Sequence, residues 1–107
     1  FNKIYLVDKK NFIFIIYYKN EKIGCIGFRI SENAWDIYNV MNISSNFKGV
    51  GIMHTSLKEL IKFIKMKKNL DFKAKVLNSN QNLNWYLKNN FKVIDKNIDY
   101  TNIKYFG

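Results

Sequence analysis

The stretch Asn46-Phe47-Lys48-Gly49-Val50-Gly51-Ile52-Met53 marks a change of period in the chain. Before it, Trp35, Ile37, Asn39, Met41 and Ile43 alternate along one side of a predicted strand, Trp35 to Ile43. After it, Ile52, Met53, Leu57, Leu60, Ile61 and Ile64 fall at helical intervals, which predicts an amphipathic helix from Gly51 to Lys68. Glycines between the two let the backbone turn tightly and approach a ligand with no Cβ in the way. The first amides of a helix lack intrahelical partners, and its dipole favours an anion in front of them. Such a place suits a phosphate or pyrophosphate held chiefly by backbone groups. A tight strand-to-helix connection with no ligand accounts equally well for two glycines. The third glycine of the dinucleotide fingerprint is absent, and Gly51-Ile52-Met53 lacks the Gly-Lys-Ser/Thr ending of a P-loop.

Upstream, Phe12 to Lys19 is a β-branched and aromatic run, Asn20-Glu21-Lys22 a turn, and Ile23 to Ile30 a returning strand. Gly24 and Gly27 remove side chains where something packs close to the sheet. Lys3 to Val7 is an opening segment before the turn-like Asp8-Lys9-Lys10-Asn11, so three antiparallel strands form a meander. Downstream, Asn69 ends the helix, and Phe72 to Leu77 is strand-like. Asn78-Ser79-Asn80 can cap a second helix through Lys88, and Phe91 to Ile94 and Tyr100 to Phe106 make two last strands. The order β-β-β-α-β-α-β-β is an α+β fold with a mixed, mostly antiparallel sheet. One domain spans residues 1–107, since 107 residues supply a single core.

Apolar residues make up 48% of the chain and aromatics 17%, which excludes disorder. No apolar run is long enough to span a membrane. The chain opens Phe1-Asn2-Lys3 and shows no signal peptide, so a trimmed or incomplete N-terminus is expected. The net charge of +10 would suit a nucleic-acid partner, but all the basic residues except Arg29 are lysines. Lys, Asn, Ile, Phe and Tyr abound together, as an AT-rich genome dictates in any protein. Lys62, Lys65, Lys67 and Lys68 gather at one helix end, where they complement its dipole. The single cysteine, Cys25, sits in an apolar run, which fits a reducing cytoplasmic location and a small buried side chain. His54 is the only histidine, so no metal-ligand constellation exists; a solvated place on the helix face suits it.

Lys48-Gly49-Val50-Gly51-Ile52-Met53, the Asn-led segment Asn78-Ser79-Asn80, and Trp85-Tyr86 followed by Asn90-Phe91 stand in a fixed order. With the hairpin around Lys22-Ile23-Gly24-Cys25-Ile26-Gly27-Phe28, that order resembles the GNAT acyl-CoA N-acetyltransferase superfamily from about Phe12 to Phe106. Its members show a loop Arg/Gln-x-x-Gly-x-Gly/Ala before a helix, then a helix carrying a Tyr with an aromatic residue five positions on. Within the superfamily, the chain looks most like the nucleotide-linked amino-sugar N-acetyltransferases. Departures are Lys48 for Arg or Gln, Met53 for a small residue, Asn90 for Gly, and Ser79 where the motif Asn falls.

The resemblance implies acetyl-CoA as cosubstrate, lying where the Trp35–Ile43 and Phe72–Leu77 strands splay. It implies pyrophosphate on the amides of Lys48, Gly49, Val50, Gly51, Ile52 and Met53. The pantetheine arm would lie along Met41, Asn42 and Ile43, with Ser79 or Asn80 beside it. A primary amine, as in an amino sugar, would attack the thioester directly, and Tyr86 would protonate the leaving thiolate as general acid. Without that resemblance, Tyr86 is an ordinary packed ring with a wet hydroxyl. Asp36 and Glu32 are the acids near the third strand, neither clearly at the site, and Tyr38 or a water could relay the amine's proton.

The superfamily also implies frequent homodimers, and a strand with one or two helices before Phe12. On that resemblance, the N-terminal β/α segment is expected to be missing here. Its absence motivates an alternative, a non-catalytic acyl-CoA-binding or interaction module of the same fold. A third reading, an RNA-binding domain, is disfavoured by the single Arg and the lack of a stacking motif.

Overall fold

Two pairs of residues with positive φ fold the first half of the chain into hairpins: Lys19 and Asn20 (50° and 66°), then Glu32 and Asn33 (53° and 60°). Two consecutive left-handed residues are the mark of a type I′ turn, whose twist matches that of the flanking strands. The computed structural model describes residues 3–8, 11–42, 51–79 and 82–107, with backbone alone for residues 3–8 and Asn42. These turns join β2 (Asn11–Tyr18) to β3 (Glu21–Ser31) and β3 to β4 (Ala34–Asn42), and β1 (Lys3–Asp8) precedes them. Helix α1 (Ile52–Lys67), strand β5 (Phe72–Leu77), helix α2 (Leu83–Leu87) and strands β6 (Phe91–Lys96) and β7 (Tyr100–Tyr105) follow.

The seven strands form one sheet in the order β1-β2-β3-β4-β5-β7-β6, parallel only between β4 and β5. The α+β class and the element order from Phe12 onward agree with the sequence reading. Three details differ. Lys3 to Val7 is a strand, so the meander has four members, not three. The first hairpin turns at Lys19–Asn20, not Asn20–Lys22, because both left-handed positions must lie between the paired ends Tyr18 and Glu21. The second helix begins at Leu83 with Asn82 as its N-cap residue, so neither Asn78 nor Ser79 caps it.

Asn78 has another occupation. Its Nδ2 donates to the carbonyls of Asn97 (2.8 Å) and Ile98 (3.0 Å), and its Oδ1 accepts from Thr101 Oγ1 at 2.7 Å. It therefore latches the end of β5 to the β6–β7 turn.

The core lies on one face of the sheet, under α1. Leu57, Leu60, Ile61 and Ile64 of α1 are buried among Phe14, Ile16, Ile26, Phe28, Trp35, Ile37 and Phe72. Each such side chain contributes roughly 1.5–3 kcal/mol by leaving water. Trp35 also closes the far end of the helix: its Nε1 donates to the Lys68 carbonyl at 2.9 Å. Phe14 and Phe28, and Phe28 and Phe72, meet edge to face with centroids 5.8 and 6.0 Å apart, tying β2, β3 and β5 into one layer.

Candidate functional site

Strands β4 and β5 share only three register pairs, Trp35–Phe72, Asp36–Lys73 and Ile37–Ala74. Beyond Ile37 and Ala74 they part, although β4 runs on to Asn42 and β5 to Leu77. Each arm stays paired on its outer side, β4 with β3 up to Asn42–Gly24 and β5 with β7 up to Leu77–Tyr100. Every second backbone group on the inner edges therefore faces a partner that has left. The opening lies at the carboxyl ends of two parallel strands, where open sheets take their ligands. Helix α1 follows β4, and α2 follows β5, so both helices start at this end.

A bulge shapes the β4 arm. Cys25 pairs with Met41 and Gly27 with Tyr38, so Ile26 alone opposes both Asn39 and Val40. Asn39 is left-handed at φ 52°, and its carbonyl accepts a hydrogen bond from Cys25 Sγ at 3.1 Å. The extra residue reverses the two faces. Trp35 and Ile37 are buried, but after the bulge Val40 packs against the core and Met41 is 53% exposed. The expected alternation with Met41 on the side of Trp35 and Ile37 is thereby corrected. Met41 instead stands on the open rim.

The start of α1 faces the same opening. Gly51 holds φ 80° as N-cap, and the first intrahelical bond runs from Thr55 N–H to its carbonyl at 3.0 Å. No side chain caps this end and no acid lies in the first turn. An anion at this end would meet the amides and the dipole alone. The turn packs tightly on β3: a Cβ on Gly24 would stand 2.5 Å from the Met41 carbonyl oxygen and 2.7 Å from Met53 Sδ. Gly24 and Gly27 are close-approach glycines, as their place in the strand suggested; at Gly27 the neighbour is the Tyr38 ring.

Tyr86 of α2 is 6% exposed, with its ring against Trp85 (5.0 Å) and Phe91 (5.3 Å). Burial pushes its phenol far above the usual tyrosine range, and the nearby charge of Asp36 adds to the shift. Asp36 lies on β4 within the last paired segment, so the phenol lies in electrostatic range of the strand where the sheet divides. Asp36 itself accepts from Arg29 Nε at 3.0 Å, and the guanidinium sits 4.4 Å over the Tyr38 ring. The one Arg is thus engaged by its own strand neighbours.

No protein-family model matches the chain, and no curated protein sequence does either. Solved structures do. The PaiA N-acetyltransferase of Thermoplasma acidophilum, in complex with coenzyme A, superposes with a TM-score of 0.79 at 22% identity over 92% of this chain. The N-acetyltransferase PseH of Campylobacter jejuni, solved also with acetyl coenzyme A, gives 0.73 at 27% identity over 91% of this chain and 68% of its own. A GNAT family acetyltransferase from Elizabethkingia anophelis with acetyl-CoA bound gives 0.69 at 23% identity, covering 89% of this chain and 73% of that one. The chain has the GNAT fold. It spans 62% of the length of the Thermoplasma enzyme.

On the GNAT fold, the sequence-predicted residues distribute as follows. Met41 and Asn42 end the β4 arm, and Gly51, Ile52 and Met53 open α1 at the same end of the sheet. Ser79 is exposed in the turn after β5, and Tyr86 is buried one short helix later. Ile43, Lys48, Gly49, Val50 and Asn80 lie outside the described residues. His54 is half-buried in the first turn of α1. Glu32 occupies the β3–β4 turn with its side chain 85% exposed, paired to Lys73 at 3.2 Å. Among the described residues no group of three His, Cys, Asp or Glu could hold a metal.

Two features escaped the sequence. The Asn39 bulge needs the partner strand's count to be seen; its only trace was an Asn among the apolar alternates. Asn90 replaces the GNAT glycine because its φ is 68°, a left-handed position that Asn also tolerates. Its carbonyl accepts from Phe106 N–H at 2.9 Å.

Proposed function

We infer that the chain transfers the acetyl group of acetyl-CoA to a primary amine. The observation that carries this is the parting of β4 and β5 beyond Ile37 and Ala74, with the uncapped start of α1 at its mouth. Neighbours of the same fold hold coenzyme A or acetyl-CoA. In this reading the pyrophosphate meets the amides of Lys48 to Met53, and the Lys48 ammonium adds screened attraction. The pantetheine arm runs along the inner edge at Met41, Asn42 and Ile43, with Ser79 and Asn80 opposite.

The amine nitrogen attacks the thioester carbonyl, the C–S bond breaks, and the amide product forms. Backbone N–H groups of β4 that face the opening stabilise the oxyanion. Tyr86 serves the leaving sulfur. A free thiol has pKa about 8.5, so a phenol held above its ordinary value stays protonated and donates a hydrogen bond to the developing thiolate. It releases its proton only as the amine's proton replaces it. For the acceptor we keep the amino sugar of the sequence reading; the fold neighbour PseH, at 27% identity, is an N-acetyltransferase.

A second reading, an acyl-CoA-binding module without turnover, is favoured by one observation: Asp36, the acid nearest the division of the sheet, is ion-paired to Arg29. Thiol release from acetyl-CoA across a panel of amines separates the two. Turnover with any amine supports the transferase; CoA binding without turnover supports the module; absence of CoA binding overturns both.

A further inference from the structure

We propose that Cys25 is a positioning residue: its thiol locks the left-handed Asn39 of β4 and so aims the inner edge of that strand at the thioester. The proposal rests on the acetyl-transfer reading. Three observations carry it. The insertion in β4 falls opposite Ile26, one residue past the Cys25–Met41 pair, so Cys25 is the last β3 side chain before the ladder slips. A bulge leaves a backbone group without its ladder partner. The Asn39 carbonyl is such a group, and it accepts from Cys25 Sγ at 3.1 Å. Finally, Cys25 is 5% exposed, so its thiol meets the Asn39 carbonyl away from competing water.

The thiol is suited to this by size. A hydroxyl closing the same bond prefers about 2.7–2.8 Å, shorter than the 3.1 Å found. Serine at this position therefore pulls the bulge toward β3 or loses the bond. Alanine keeps the backbone and removes the donor. In either case Asn39, whose φ of 52° is maintained against the ordinary preference for negative φ, loses its lock. The amides of residues 39–41 then sample other directions, including away from the opening.

The test compares Cys25→Ala, Cys25→Ser and the unaltered 107-residue chain by amide hydrogen exchange without ligand, by CoA titration, and by acetyl-transfer kinetics. The lock predicts that Cys25→Ala speeds exchange at Val40 and Met41 at least tenfold while Ile61 and Ile103 amides hold. It also predicts kcat lower by about tenfold, less than the ~10²–10³ that follows outright loss of an oxyanion donor, with the CoA dissociation constant and the KM for acetyl-CoA within about twofold. Cys25→Ser should fall between the two. Unchanged exchange at residues 39–41, or a kcat that falls only as far as a general loss of folded protein explains, overturns the proposal. A chain that neither binds CoA nor transfers acetyl overturns the parent reading; the exchange comparison still decides whether the thiol holds the bulge.

Discussion

Ile37 and Ala74 are the last residues that β4 and β5 share in register, and each lies beside a side chain of opposite environment. Both are buried in the core, whereas their neighbours Asp36 and Lys73 point to the other face and pair with Arg29 and Glu32. The sheet is thus closed below by packing and ion pairs, and opens above. Exposed pairs such as Lys73–Glu32 contribute little, about 0–1 kcal/mol, so the closure rests mainly on the buried residues.

Tyr86→Phe keeps the ring against Trp85 and Phe91 and removes only the phenol oxygen. It should lower kcat by about 10²-fold with KM for acetyl-CoA nearly unchanged, since a positioned acid contributes roughly 10²–10⁴. The phenol also makes a stability prediction. Its folded pKa is raised by burial above an unfolded value near 10. The stability this provides is whole below about pH 10 and is lost as pH rises toward the folded value. Urea unfolding across alkaline pH should therefore show a steeper decline for the unaltered chain than for Tyr86→Phe.

Gly24→Ala places a methyl against a backbone oxygen and the Met53 sulfur. Met53 can rotate away, but the Met41 carbonyl can move only with its strand. Overpacking of this kind costs about 1–3 kcal/mol. The melting temperature should fall by several degrees, and CoA affinity should fall with it because β4 and α1 both shift.

His54→Glu tests the helix start by opposite signs. Glutamate in the first turn of α1, which now has no acid, should stabilise the free protein by about 0.3–1 kcal/mol. The same charge should repel the pyrophosphate and weaken CoA binding by about tenfold. Calorimetry and thermal melts on one sample check both; a variant that gains stability and keeps full affinity places the phosphates elsewhere.

Asn90→Gly should be neutral or slightly stabilising, and Asn90→Ala should cost about 1 kcal/mol, because φ at this site is 68°. Thermal melts of the two variants distinguish this from a side-chain contact, which both would lose equally.

Much of this was legible in the residues. The helical spacing of Leu57, Leu60, Ile61 and Ile64 marked the buried face of α1, and β5 has the bounds its alternation suggested. The five-residue step from Tyr86 to Phe91 is a ring contact across the turn that ends α2. What stayed hidden depends on partners rather than on local pattern. Met41 looked like a core alternate because nothing in β4 alone reveals that β3 is one residue short opposite it. Asn78 looked like a helix cap because Asn caps helices; its true partners at Asn97, Ile98 and Thr101 come from a distant hairpin. Arg29, Asp36 and Tyr38 meet only through the β3–β4 register.

The central claim is that the divided strands hold acetyl-CoA, and amide chemical-shift mapping during a CoA titration tests it most directly. The account predicts saturable shifts at residues 38–42, 51–55 and 75–79 and at Tyr86, with one CoA per chain. Shifts confined to the opposite face around Arg29, Lys73 and Asn102, or none at millimolar CoA, would contradict it.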